Sequence, residues 1–255
     1  MQKTDSQSWS VPLPTLDLQL HQVDVWRASL RLPVNVLNKL ENTLSEDERE
    51  RAAQFHFPAD RDRFIAAHGC LRDVLGRYLH CRPDEFTFSA NPYGKPALCN
   101  RQLEFNLSHS GDFALIAITR DRRVGIDVER IRWGISSQVI SRQFFSQSEV
   151  TELQTLPLEQ RETAFFTCWS RKEAYSKAQG AGLSLPLESF DVSLTPNEPA
   201  ILRATRPDPE EAARWTLLSL RVDPHYESAV AVEGKNLEFR LWGWNYGVKA
   251  MQTKS

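Results

Sequence analysis

Apolar and polar positions alternate through residues 16–30, with Val23 and Val25 among the apolar ones, and this period of two predicts a first strand. The period then lengthens. Ser45 precedes a run opening on acidic residues, with Glu48 three positions on, the mark of a capped helix start. From about Asp60 to His80, Phe64, Ala67, Leu71, Leu75 and Leu79 share one face of a longer helix that Pro83 closes. Alternation returns over 85–90, 104–110 and 113–119, the last two joined by a Gly-Asp turn, and again over 124–131. Helical spacing follows over 136–144, from near Ser148, and from about Glu159 to Gln179, where Gly180 stops it. Four further strand-like stretches, around 183–194, 214–223, 225–234 and 237–244, suggest antiparallel hairpins or meanders. Helices followed by strands thus occur twice, on either side of residue 120, although no repeat is visible in the residues themselves. The class is α+β.

Composition narrows the function. The 255 residues carry 31 basic and 33 acidic side chains, a net charge of -2, which gives no case for nucleic-acid binding. Cysteines at 70, 81, 99 and 168 show neither disulfide nor zinc spacing, so reduced thiols are expected. The first residues are polar and proline-containing, unlike a signal peptide, and no stretch matches a membrane span. A cytoplasmic protein is the expectation.

The candidate chemistry centres on acidic residues. In GIDVE (125–129), Asp127 and Glu129 lie two apart on a strand and share a face, while Ile126 and Val128 point into the core. Carboxylates this close repel unless a cation or a proton intervenes. A solvated acidic strand face is the bland alternative. In the helix at 159–179, Trp169, Glu173 and Lys177 are spaced four apart, so Glu173 and Lys177 can be an ordinary surface pair. Taken with the strand, they offer a third carboxylate and a cation, a set suited to magnesium and phosphate displacement. Ser108 and His109 read as phosphate-oxygen donors, the histidine protonated, because strand neighbours face opposite ways and no GxSxG elbow occurs. Lys95, in the YGKP turn, is either a phosphate contact or an exposed lysine. Arg51 and Arg63 can reach the same place. Trp242 and Trp244 read as packing residues.

In this order, YGKP (93–96), FNLSH (105–109), GIDVE (125–129), FFSQSE (144–149), WSRKEAYSK (169–177) and GLSLPLESF (182–190) resemble the 4'-phosphopantetheinyl transferase superfamily. The likeness is to its broad-specificity surfactin-type branch, cyanobacterial members in particular, and covers roughly residues 20–232. It implies two similar α+β lobes in pseudo-twofold arrangement, 16–119 and 120–245, with the site in the cleft between them and loose termini at 1–15 and 246–255. It further implies an enzyme of the holo-[acyl-carrier-protein] synthase type. Such an enzyme moves 4'-phosphopantetheine from coenzyme A to a serine of an apo acyl or peptidyl carrier protein, releasing adenosine 3',5'-bisphosphate. By position, Asp127, Glu129 and Glu173 would hold magnesium, or manganese in its place, with the coenzyme A diphosphate. Glu173 or a metal-held water would take the serine proton, and Lys177 would steady the leaving group. Asn106, Ser108, His109, Arg51, Arg63 and Lys95 would bind coenzyme A, the 3'-phosphate falling to Ser108, His109 and the two arginines. Where some relatives have lysine and a hydroxyl residue, this chain has Glu48 and Phe64, which implies a less basic pocket. The segment around Leu183–Leu187 is the expected carrier-docking surface, and a monomer is expected to suffice. A metal-dependent phosphohydrolase and a non-catalytic coenzyme A or carrier-binding module are the competing readings.

Overall fold

The computed structural model describes residues 7–12, 16–99, 103–134, 137–206 and 208–246, the Leu183 side chain excepted. The first half runs β1 (Gln22–Ser29), α1 (Val34–Glu41), α2 (Glu46–Ala53), α3 (Pro58–Leu79), β2 (Phe88–Ala90), β3 (Pro96–Leu98), β4 (Glu104–Ser110) and β5 (Phe113–Thr119). The second half repeats that order as β6 (Val124–Arg130), α4 (Ser137–Phe144), α5 (Gln147–Thr155), α6 (Leu158–Gln179), β7 (Phe190–Val192), β8 (Leu202–Thr205), β9 (Trp215–Ser219) and β10 (Tyr226–Glu233). A last strand, β11 (Glu238–Gly243), has no counterpart. The α+β class and the doubling are both present: α3 and α6 are each 22 residues long, and β5 and β10 pair with the opening strands of their own halves.

Local chemistry explains the boundaries. Ser45 caps α2 and Ser146 caps α5 with reciprocal bonds to Glu48 and Glu149, two complete capping boxes. The second begins at Ser146, two residues before the expected Ser148. Proline at the first turn starts α3 at Pro58, and the left-handed backbone of His80 ends it. Gly180, at φ 69°, ends α6 where a side chain would be strained.

Alternation then builds the layers. In β1, Val23 and Val25 face one way and Trp26 and Ala28 the other; in β5, Leu115 and Ala117 oppose Ala114, Ile116 and Ile118. The first set of each meets Val124, Ile126 and Val128 of β6 and Val230 and Val232 of β10, so two sheets pack face to face. α3 covers the outer face of the first sheet and α6 packs on β6 and β10. Strands buried on both faces read as nearly continuous apolar runs, as β5 does.

Two expectations are corrected. The C-terminal stretch does not stay within its own half: β11 pairs in parallel with β1, giving the sheet order β11-β1-β5-β4 beside β6-β10-β9. The segment before β1 is not loose where it is described, because Ser10 bridges Trp242 and Trp9 donates its indole N–H to the Arg221 carbonyl at 2.9 Å. Residues 1–6, 13–15 and 247–255 of the expected loose termini, and Ser136 of the expected helix, lie outside the described residues. Trp242 and Trp244 are buried, as packing residues should be, and all four cysteines are free.

Candidate functional site

The site grows from the face of β6 that looks toward α6. Three residues stand there by alternation, namely Gly125, Asp127 and Glu129. A Cβ on Gly125 would collide with the Ala174 carbonyl and the Ala178 amide, so glycine alone lets the helix backbone settle on the strand. That approach sets Lys177 against Asp127. Its ammonium donates to Asp127 Oδ1 at 2.5 Å and to Ser108 Oγ at 3.2 Å. Asp127 is 1% exposed, and its other oxygen, Oδ2, is buried without a hydrogen-bond partner. Opposite Asp127 on β10 is Ala229, whose small side chain leaves room.

Glu129 and Glu173 join the same neighbourhood, each half-buried. Burial and the Asp127 charge raise the Glu129 pKa, against help from Ser110 and Lys177. Burial also raises Glu173, with Lys177 opposing and Asp127 adding to the rise. Burial works against the charge of Lys177, yet Asp127 outweighs it, with Glu173 and Glu129 behind, and its pKa is raised. Glu129 and Glu173 therefore each feel the Asp127 charge, and the Lys177 ammonium acts on all three. Among the described residues, no three His, Cys, Asp or Glu side chains close to metal-holding distance. The donors still suit a hard divalent cation: all are carboxylate oxygens, one buried oxygen is unpartnered, and the excess charge is negative.

β4 supports this face from the side. β4 and β6 are edge strands of different sheets, joined by side chains in place of carbonyls. The amides of Ile126, Val128 and Arg130 donate to Asn106 Oδ1 at 2.8 Å, Ser108 Oγ at 3.3 Å and Ser110 Oγ at 3.1 Å. The two serine hydroxyls in turn donate to Asp127 at 3.0 Å and Glu129 at 3.2 Å. Asn106, expected as a coenzyme A contact, and Ser108, expected at its 3'-phosphate, are thus buried and engaged with β6 in the free protein.

His109 points the opposite way, as strand alternation requires, and is exposed. Desolvation lowers its pKa to about 4, helped by the charges of His68, Lys177, Arg51 and Arg63. The protonated His109 expected as a phosphate donor concerns the bound state, where a phosphate dianion raises the pKa. Arg51 lies over the Phe64 ring at 5.7 Å, and Arg63 touches Asp60 at 3.1 Å and Asp112 at 3.6 Å.

Lys95 is spent differently. Its ammonium donates to the Val124 carbonyl at 2.9 Å, and Asn91 of the same turn donates to the Gly180 carbonyl at 2.8 Å. The YGKP turn therefore ties the first half to the start of β6 and the cap of α6. Lys172, beside Glu173 in the sequence, is also structural: fully buried, it pairs with Glu149 at 2.7 Å and donates to the carbonyls of Leu187 and Phe190.

Sequence reasoning missed two side chains here. Glu227 of β10 lies directly across from Glu129, adding a carboxylate to this face, and burial raises its pKa against Thr167 and Arg171. Only the strand register exposes it. His68 of α3 stands near His109 together with Arg51, Arg63 and Lys177, and its spacing four residues from Phe64 was its one signal.

Known proteins match nearly the whole chain in sequence. The family pattern described as 4'-phosphopantetheinyl transferase superfamily matches residues 123–231, and that of 4'-phosphopantetheinyl transferase, N-terminal matches 26–121. The 4'-phosphopantetheinyl transferase HetI of Nostoc sp. (strain PCC 7120) is 40% identical over 239 residues, 92% of this chain and 98% of that protein. The 4'-phosphopantetheinyl transferase Sfp of Bacillus subtilis is 31% identical over 188 residues, 73% of this chain and 81% of Sfp. A mouse L-aminoadipate-semialdehyde dehydrogenase-phosphopantetheinyl transferase is 25% identical over 207 residues, 74% of this chain and 67% of its own. With matched motifs, a doubled α+β fold and acidic residues gathered beside Lys177, the chain belongs to the 4'-phosphopantetheinyl transferase superfamily, which moves the phosphopantetheine group of coenzyme A to a carrier-protein serine.

Proposed function

We propose that this chain is an active transferase of the surfactin type, which moves 4'-phosphopantetheine from coenzyme A to a serine of an apo acyl or peptidyl carrier protein. The observation that carries the reading is the convergence of Asp127, Glu129, Glu173 and Lys177 on one face, with Arg51, Arg63 and His109 on the far side of β4. Asp127, Glu129 and Glu173 would hold a divalent cation, magnesium or manganese, which supplies positive charge to the diphosphate when bound.

The chain's own groups account for the remaining steps. Arg51, Arg63 and His109 hold the 3'-phosphate of coenzyme A by charge-assisted hydrogen bonds. Asn106 and Ser108 keep β6 and its carboxylates in place, and Lys95 fixes the turn that flanks the nucleotide. Glu173, its pKa raised by burial, accepts the proton of the carrier serine hydroxyl. The serine oxygen bonds to the β-phosphorus as the bond to the bridging oxygen breaks. Adenosine 3',5'-bisphosphate leaves, and Lys177 neutralises the charge that grows on it. The acceptor is a carrier domain of fatty acid, polyketide or peptide synthesis, docked near Leu185–Leu187, and the enzyme works as a cytoplasmic monomer. The Leu183 part of the expected docking segment has no described side chain.

Chromatography of the nucleotide product tests this reading. Adenosine 3',5'-bisphosphate should be released from coenzyme A only when an apo-carrier is present. Release without a carrier would favour a phosphohydrolase, and binding without release a non-catalytic module.

A further inference from the structure

The two halves of the fold contain the same clamp. In each, the capping-box glutamate of a short helix grips a basic residue at the same place on the long helix: Glu149 holds Lys172, and Glu48 holds Arg72 through Nε at 2.7 Å. Arg72 is 2% exposed and also donates to the carbonyls of Pro83 and Phe86, as Lys172 donates to Leu187 and Phe190. The clamp is complete with those partners. The first half adds one group that the second does without. At the position of buried Cys168 stands His68, whose side chain is 21% exposed.

His68 is held by two contacts. Its Nδ1 lies 3.4 Å from Glu48 Oε1, and its ring stacks on Phe64 with centroids 4.0 Å apart. A carboxylate on Nδ1 holds a proton there and orients the ring, and on taking up a second proton the ring has an N–H to offer an anion at Nε2. Among the described residues Nε2 has no hydrogen-bond partner, and Arg51, against the same Phe64, has no carboxylate partner. His109 and Arg63 complete the group.

We propose that His68 is an anion ligand of this site, completing with Arg51, Arg63 and His109 a cradle for a phosphate monoester. The proposal rests on the reading above, in which that monoester is the 3'-phosphate of coenzyme A. Glu48 and Phe64 are positioning residues for it, so the pocket does not lose basicity where Glu48 replaces a cation: the acid brings in an imidazole.

Calorimetric titration of the full chain with coenzyme A and with 3'-dephospho-coenzyme A tests the proposal. H68Q should weaken coenzyme A roughly tenfold, the worth of one charge-assisted hydrogen bond, and leave 3'-dephospho-coenzyme A unchanged. H68K, which restores a cation, should recover part of the loss. Equal weakening of both ligands, or none, overturns the proposal. A direct reading avoids any variant: the His68 ring nitrogen resonances of the wild type should shift with coenzyme A and not with its dephospho form. If the wild type itself binds the two ligands equally, the 3'-phosphate assignment fails first and the cause is visible without His68.

Discussion

Lys177 Nζ and Asp127 Oδ1 stand 2.5 Å apart, and the contact has a counterpart in the other half of the fold. At the same place on α3, Arg77 lies over the ring of Trp26 at 5.4 Å and pairs with Asp73 at 2.7 Å. One architecture thus carries a cation beside a buried carboxylate in one half and a cation over an indole in the other. The matching face of β1 is not without charge, but its buried carboxylate, Asp24, is taken by Tyr78 and Arg240, whereas Asp127 and Glu129 stand beside Lys177.

Coupling between the two residues follows. In protein stripped of divalent ions, D127N and K177M should each destabilise, and the double variant should be more stable than their sum by about 1–3 kcal/mol. Urea unfolding of the four proteins measures this. Additive losses would mean the ion pair holds nothing.

Ser108 separates two roles cleanly. As a bridge that accepts the Val128 amide and donates to Asp127, it should cost about 1–2 kcal/mol of stability when changed to alanine. S108A should also lower transfer from coenzyme A and from 3'-dephospho-coenzyme A by the same factor. A loss confined to coenzyme A would return Ser108 to the 3'-phosphate.

His109 predicts a pH dependence. Its pKa is about 4 in the free protein, and a bound phosphate dianion must raise it. A group whose pKa rises on binding takes up a proton, so affinity for coenzyme A should increase as pH falls from about 8 to about 6. Titrations in buffers of different ionisation heat should show net proton uptake in the wild type and less of it in H109Q.

Glu48 predicts the opposite sense for stability. Burial would raise its pKa, but His68, the Ser45 amide and Arg72 bring it down to about 2 from 4.5. A depressed carboxylate contributes fully above its unfolded value and loses its contribution as pH falls toward the folded one. E48Q should therefore be less stable than the wild type by about 3 kcal/mol at pH 7, with the gap closing between about pH 4.5 and pH 2. Thermal or urea unfolding across that range checks it.

Much of this was legible in the chain because it is local. The capping serine at 45, the Gly180 stop and the hairpin joining 104–110 to 113–119 are decided within a few residues. The shared face of Asp127 and Glu129 follows from strand geometry alone. Partner choice was not legible, because it is set by chain segments far apart. Nothing near residue 240 announces that β11 crosses back to β1, and no periodicity pairs Glu227 with Glu129. For the same reason the hydrogen-bonding capacity of Ser108 and Lys95 is plain in sequence, but not that in the free protein Ser108 donates to Asp127 and Lys95 to the Val124 carbonyl.

The central claim is that the acidic face beside Lys177 drives arm transfer. Intact-protein mass measurement of an apo-carrier incubated with coenzyme A and magnesium tests it most directly. The wild type should add one phosphopantetheine per carrier, chelation of the metal should stop it, and folded E173Q should add almost none. A wild type that modifies no carrier in a broad panel, or an E173Q variant that labels at the wild-type rate, would contradict the account.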